Sequence, residues 1–269
     1  MSDFNGRVVL ITGGASGIGK IMGRLALEKG AAHLVLWDRD AAALAETAAG
    51  WAFAASRIHT RQIDLTQTAR LAGACQDLLA SLGHVDILIN NAGIVTGKLF
   101  QDYTHAEIDA TMQVNILACM HLTRLLLPQM LARGAGHVCN IASAAGLISN
   151  PRLSVYCASK WALIGWSESL RLEMEMQRSK VKVTTVAPYY IHTGMFAGVR
   201  SLLPILDPAA TARRIVRAVE RNRIFLKLPW LINLLPLAKG LLPIRWFDRL
   251  VGKGLRTHDT MTHFTGRPR

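Results

Sequence analysis

Tyr156 and Lys160 stand four residues apart, and Ser143 lies thirteen residues before the tyrosine. On a helix that spacing puts Tyr156 and Lys160 on one face. An ammonium beside a phenol stabilises the phenolate, and a free tyrosine ionises near about 10. Lowering that to about 7 takes roughly 3 units, or about 4 kcal/mol, of differential stabilisation. One lysine supplies part of it. A serine hydroxyl on a neighbouring loop then holds a substrate oxygen next to the phenol. The three side chains together are equipped to pass a proton to or from that oxygen. Tyr-x-x-x-Lys also occurs by chance in helices, so its meaning turns on whether the chain builds a ligand site nearby.

Such a site is legible at the other end of the sequence. Arg7-Val-Val-Leu-Ile-Thr12 reads as a buried parallel strand. It runs into Gly13-Gly-Ala-Ser-Gly-Ile-Gly19 and then a helical pattern to about Glu28. A strand, a glycine turn and a helix start make a phosphate cradle, because backbone and helix N-terminus both offer N–H groups. The spacing is Gly13-x-x-x-Gly17-x-Gly19 rather than G-x-G-x-x-G. His33-Leu-Val-Leu-Trp37 is a second strand, and Asp38 ends it, where a carboxylate takes the hydroxyls of an adenosine ribose. A 2′-phosphate would meet that charge, which favours NAD over NADP. Arg39 argues the other way. Asp38 also competes as an N-cap for the helix beginning near Asp40. A bound nicotinamide cation would add to the positive charge near Tyr156.

Further strands are expected over His59–Asp64, Val85–Gly93, Gly136–Ile141, Val181–Ala187 and Ile224–Leu228. Helices are expected between them, one running continuously from about His105 to Arg133 with Asn115 midway. Asp64 and Leu65 fall at a strand end where an adenine would rest. Asn90-Asn-Ala-Gly93 falls at another. The alternation predicts an α/β fold: a Rossmann-type, doubly wound parallel sheet of about seven strands in one domain. Residues 1–227 would form the dinucleotide-binding and catalytic domain, and residues 228–269 an apolar, basic C-terminal extension.

Composition narrows the function. Over 269 residues, 51% are hydrophobic, enough for a substantial core, and disorder is unlikely on that account. The net charge of +13 suits an anionic cofactor or membrane surface. No Lys/Arg run of nucleic-acid type occurs, so no nucleic-acid partner is expected. Cys75, Cys119, Cys139 and Cys157 form no metal-type spacing and read as reduced thiols of a cytoplasmic protein. His258 and His263 lack ligand partners at suitable spacing, so no metal is assigned.

Thr12-Gly-Gly-Ala-Ser-Gly-Ile-Gly19, Asn90-Asn-Ala-Gly93, Asn115, Ser143 and Tyr156-x-x-x-Lys160 together resemble the short-chain dehydrogenase/reductase family over residues 6–225. The resemblance implies that Tyr156 is the general acid/base, that Lys160 lowers its pKa and binds the nicotinamide ribose, and that Ser143 holds the substrate oxygen. Asn115 would hold a water linking Lys160 to solvent. For the cofactor it implies Gly13, Ser16, Gly17, Ile18 and Gly19 at the phosphates. Asp38 and Arg39 would face the ribose, with Asp64 and Leu65 at the adenine. Asn91, Ala92 and Gly93 would line the cleft, with Pro188, Ile191 and Thr193 toward the nicotinamide.

Tyr189 stands where the family usually has Gly, and so places an aromatic near the substrate. With Leu34–Asp38 and the tail Asp259–Gly266, this is similar to a branch of membrane- and lipid-droplet-associated retinol and 17β-hydroxysteroid dehydrogenases and their bacterial relatives. An apolar alcohol or ketone is the substrate implied, and a homodimer or homotetramer the assembly. An NADP-dependent soluble reductase of small ketones, and a non-catalytic dinucleotide sensor or scaffold, are the alternatives.

Leu228 to Phe247 is strongly apolar, but Pro229, Pro236 and Pro243 divide it and Lys239 and Arg245 interrupt it. A spanning helix is excluded there. The segment is expected to be a lid, a subunit interface or a peripheral membrane contact.

Overall fold

A computed structural model of the protein describes residues 2–53, 55–254 and 256–266. Its seven strands are β1 (Val8–Thr12), β2 (His33–Asp38), β3 (Ile58–Gln62), β4 (Ile87–Asn90), β5 (His137–Ile141), β6 (Lys182–Pro188) and β7 (Phe225–Leu228). All pair in parallel in the order β3-β2-β1-β4-β5-β6-β7. The strand order reverses where β4 returns beside β1. That opens a crevice at the carboxyl ends of these two strands.

β1 shows why its sequence is apolar from Val8 to Ile11 without a break. Val9 and Ile11 face one core with α1 (Gly17–Glu28) and a later helix, Pro208–Glu220. Val8 and Leu10 face a second core with helices Thr68–Leu82, Ala118–Ala132 and Ser154–Met176. A strand covered on both faces cannot alternate polar and apolar residues. The other helices are Ala41–Ala49 and His105–Met112, with two short ones, Leu235–Leu241 and Ile244–Phe247, near the end. In chain order we number these nine helices α1 to α9, so that α6 is Ser154–Met176 and α7 is Pro208–Glu220.

The expected continuous helix over 105–133 is corrected. It is α4 (His105–Met112), a π-helical turn over Gln113–Leu117, and α5 (Ala118–Ala132). The cause is Asn115, whose side chain reaches sideways to the chain leaving β4. Residues 105–132 are together long and apolar enough to cross a membrane, yet half of that window is buried in the protein. Leu122, Leu126 and Met130 pack under the sheet, so this is a core helix. β6 runs one residue past the expected Ala187 and ends at Pro188, paired opposite Leu228.

The N-terminal edge of the sheet contains a buried histidine. His137 lies 2.9 Å from both Ser2 Oγ and Thr184 Oγ1. Burial drives its pKa from 6.5 down to about 3. The unfolded chain therefore binds the extra proton between those values. His137's contribution to stability is fully present above pH 6.5 and is lost as pH falls toward 3. A His137→Gln variant is expected to show a shallower loss of stability across that window, by on the order of a few kcal/mol. Urea unfolding at a series of pH values measures it; parallel curves for variant and parent would refute the assignment.

Candidate active site

One cleft of about 290 Å³ follows the carboxyl ends of the strands and brings the glycine turn and the Ser143–Lys160 segment together. Its walls include Gly13, Ser16, Gly17 and Ile18 at the glycine turn, and Asp38, Arg39, Asp64 and Leu65 at one end. Asn91, Ala92 and Gly93 lie in the middle. Ser143, Tyr156, Lys160, Pro188, Tyr189, Ile191 and Thr193 line the other end. Of the residues expected in the site, Gly19 and Asn115 lie behind the wall rather than on it.

The glycine turn is built by close backbone contacts. Gly13 has φ +65°, and a Cβ there would stand 2.9 Å from Ala92 Cα. At Gly19 a Cβ would meet the Gly13 carbonyl oxygen at 2.1 Å. Only hydrogen fits, so the first turn of α1 comes down onto the end of β1. Asn91 fastens the same place: its Nδ2 donates to the carbonyls of Thr12 at 2.9 Å and Gly13 at 3.1 Å. The Thr12 hydroxyl accepts from the backbone N–H groups of Asn91 and Ala92. This clamp leaves the glycine turn facing the cleft.

Asp38 does not cap α2 as one reading of the sequence allowed. Asp40 does, accepting from Ala43 N at 2.9 Å. The Asp38 carboxylate instead accepts from Ala15 N at 3.1 Å and Asp40 N at 3.2 Å. It is thereby fixed beside the glycine turn. Asp64 accepts from the Thr66 backbone N–H and hydroxyl, which hold its carboxyl below the ordinary range.

At the other end, Tyr156 and Lys160 rise from α6 as their spacing requires. Lys160 is buried, its Nζ donating to the Ile141 carbonyl at 3.0 Å and lying 5.7 Å from the Tyr156 ring centroid. Burial lowers the pKa of Lys160 from 10.5 to about 8. The surroundings of the phenol oppose the acidification expected from the lysine. Burial pushes Tyr156 well above the ordinary tyrosine range, and a hydrogen bond with Ser143 opposes that only in part. The phenol sits among Leu153, Tyr190 and Met261, with the Phe196 ring edge-on at 5.8 Å. Such surroundings disfavour the phenolate.

Asn115 makes three directed bonds. Its Oδ1 accepts from Ile94 N at 2.8 Å, and its Nδ2 donates to Ile94 O at 2.9 Å and Ser159 Oγ at 3.0 Å. The residue therefore ties the exit of β4 to α6. A Cβ on Gly93 would lie 3.4 Å from Asn115 Oδ1 and 3.6 Å from Lys160 Nζ, so the three groups are neighbours.

Ile94, Val114, Met195 and Phe196 also line the cleft and were missed in the sequence. Phe196 carried one usable signal: an aromatic in the loop after β6, at the same sheet edge as Tyr189. The tail completes this wall from outside. Thr260 hydrogen bonds the Tyr190 hydroxyl at 3.0 Å, and Thr265 N donates to Ala197 O. Phe264 packs against Gly97 and Phe196. Residues 260–265 thus pack on the Tyr190–Ala197 segment behind the Tyr156 side of the cleft.

A parallel sheet of this order, with a glycine turn and a Ser–Tyr–Lys group in one cleft, is the arrangement of a short-chain oxidoreductase. A family model for short chain dehydrogenases matches residues 7–203, and the chain belongs to that family. It is 37% identical over 250 residues to epidermal retinol dehydrogenase 2 of Mus musculus, covering 89% of this chain and 79% of that one. It is 34% identical over 251 residues to human estradiol 17-beta-dehydrogenase 11, covering 92% and 83%. These matches place it in the retinol and hydroxysteroid dehydrogenase-like branch. A short-chain dehydrogenase from Streptomyces avermitilis superimposes with TM-score 0.77 at 28% identity, covering 94% of this chain and 98% of that one. Two further solved structures of this fold, from Burkholderia phymatum (24% identical, TM-score 0.73, covering 93% and 96%) and a metagenome (28%, 0.70, 84% and 96%), hold NAD and NADP respectively.

Proposed function

We propose that this protein is an NAD(H)-dependent oxidoreductase interconverting an alcohol and its ketone or aldehyde on an apolar substrate of steroid, retinoid or long-chain type. One observation carries the reading. Asp38, the glycine turn and the Ser143–Tyr156 pair share one cleft, and on its Tyr156 side the wall is aromatic, with Tyr189 and Phe196. The donor set fits a dinucleotide: a backbone cradle where a Cβ would collide, and a fixed carboxylate beside it. The nicotinamide, when bound, supplies the site that gives or takes the hydride.

The chain's own residues handle the oxygen and its proton. Ser143 and Tyr156 hold the substrate oxygen between two hydroxyls. In reduction the Tyr156 phenol, kept protonated by burial, gives its proton to the developing alkoxide. In oxidation the transfer runs in reverse. Lys160 holds the ribose side of the cleft through its ammonium, anchored at Ile141 O. Asn115 acts as a positioning residue for Gly93 and α6. Apolar walls exclude water from the transfer. We place the enzyme in the cytoplasm, at a membrane surface.

NADH oxidation followed with a panel of steroid, retinoid and long-chain carbonyls tests the reading. NADH binding without turnover on any of them would favour a sensor. Arg39 supports a second reading, in which NADP is the cofactor and small ketones the substrates. An Asp38→Ala variant is expected to raise NADP(H) use relative to NAD(H) by about tenfold or more, since a charge opposing the 2′-phosphate is gone. A parent enzyme that already prefers NADPH would overturn the NAD assignment.

A further inference from the structure

Residues 230–254 carry an apolar face that nothing among the described residues covers. Trp230–Leu241 is one helical run, starting as a 3-10 turn and continuing as α8. Trp230, Leu234, Leu237 and Leu241 follow at intervals of four, three and four, so they form one stripe. That stripe points to solvent: Trp230 is 70% exposed, Leu237 61% and Leu241 74%. The opposite side of the run is apolar too, with Leu235, Ala238 and Leu242 packing on Ile148, Phe247 and Val251. The next turn repeats the pattern. Phe247 and Val251 point inward, while Ile244, Trp246 and Leu250 are exposed. A helix apolar all round belongs in a core or against lipid, and this one is not in the core.

Charge chooses the occupant. Across residues 230–254 the exposed Lys239, Arg245, Arg249 and Lys253 stand against one acid, Asp248. Lys239 Nζ lies 4.3 Å above the Trp161 ring, and the Arg249 guanidinium 5.8 Å from Trp246. Cations resting on indoles beside a leucine stripe suit the boundary between headgroups and acyl chains. A second copy meeting this face about a two-fold axis would set basic residues against basic residues, which costs affinity. Twelve helical residues extend about 18 Å, short of the roughly 30 Å hydrocarbon core, so the run lies along a bilayer instead of crossing it.

We propose that the face formed by Trp230, Leu237, Leu241, Ile244, Trp246 and Leu250, rimmed by Lys239, Arg245 and Arg249, docks the protein on the surface of an anionic lipid bilayer. The proposal deepens the functional reading above and rests on it for its purpose, since Ile148, on the loop that follows Ser143, packs directly beneath the docked segment.

The test is flotation of the full chain with vesicles of phosphatidylcholine alone or mixed with phosphatidylserine, together with tryptophan emission. The parent is expected to float with the mixed vesicles about tenfold better than with the neutral ones, with a blue shift in emission. Leu237→Asp with Leu241→Asp is expected to weaken flotation by about tenfold or more. Lys239→Glu with Arg245→Glu and Arg249→Glu is expected to remove the preference for phosphatidylserine. Unchanged NADH affinity shows that each variant is folded. A parent that floats with neither vesicle, or leucine variants that float as well as the parent, would overturn the proposal. So would leucine variants that dissociate an oligomer while the parent ignores lipid, which identifies an interface between copies. Vesicle binding without turnover on any detergent-dispersed alcohol would sink the catalytic reading and leave docking intact.

Discussion

Tyr156→Phe is expected to reduce turnover by about a thousandfold or more while NADH still binds. The change removes one oxygen and nothing else. The ring keeps its edge-on contact with Phe196 and its place against Leu153, Tyr190 and Met261. What disappears is the group that hydrogen bonds Ser143 and carries the transferable proton. Initial rates with the best alcohol or carbonyl, alongside NADH titration by fluorescence, separate the two effects. Retention of a tenth or more of parent activity would mean that another group moves the proton. Ser143 is the nearest candidate on this geometry.

Gly19→Ala is expected to damage both cofactor binding and stability. A Cβ at that position lies 2.1 Å from the Gly13 carbonyl oxygen and 2.5 Å from Asn91 Nδ2. The obstacle is largely backbone, so α1 must move away from the end of β1. The Asn91 bonds to Thr12 and Gly13 move with it. The cost is expected at about 1–3 kcal/mol of stability, typical of overpacking. NADH affinity should fall by about tenfold or more, because the cradle and helix N-terminus no longer face one phosphate. Gly73→Ala is the control. It sits on the solvent-facing side of α3, where a Cβ meets nothing within 4 Å. That change is expected to be neutral or stabilising by up to about 1 kcal/mol. Thermal melts and NADH titrations of the two variants compare a closed glycine with an open one.

Much of this architecture could be read from the chain because buried parallel strands and glycine turns leave local signatures. Val8–Thr12 is apolar on both faces because helices cover both faces. The turn at Gly13–Gly19 follows it directly. Asp38, Asn91 and Ser143 were legible for the same reason: each falls at the end of an apolar run, and in this topology all such ends lie on one edge, as does Asp64 after the polar edge strand Ile58–Gln62. What could not be read depends on contacts between distant segments. The π-turn at Asn115 inserts into a pattern that otherwise keeps helical period, and its cause is a bond to Ile94. The packing of Met261 and Phe264 beside the site requires knowing that Thr260 meets Tyr190, seventy residues away. Burial of the Tyr156 phenol was not legible either, because spacing reports which charge is near, whereas its packing against Tyr190 and Phe196 comes from distant segments.

The most direct test of hydride transfer from an apolar alcohol is isotopic. The protein would be incubated with NAD and a long-chain alcohol deuterated at its carbinol carbon, and the cofactor analysed by mass spectrometry. The account predicts reduced cofactor carrying one deuterium, absent when Tyr156 is replaced by Phe. Across retinoid, steroid and long-chain alcohols alike, cofactor that binds yet stays oxidised and unlabelled would contradict it.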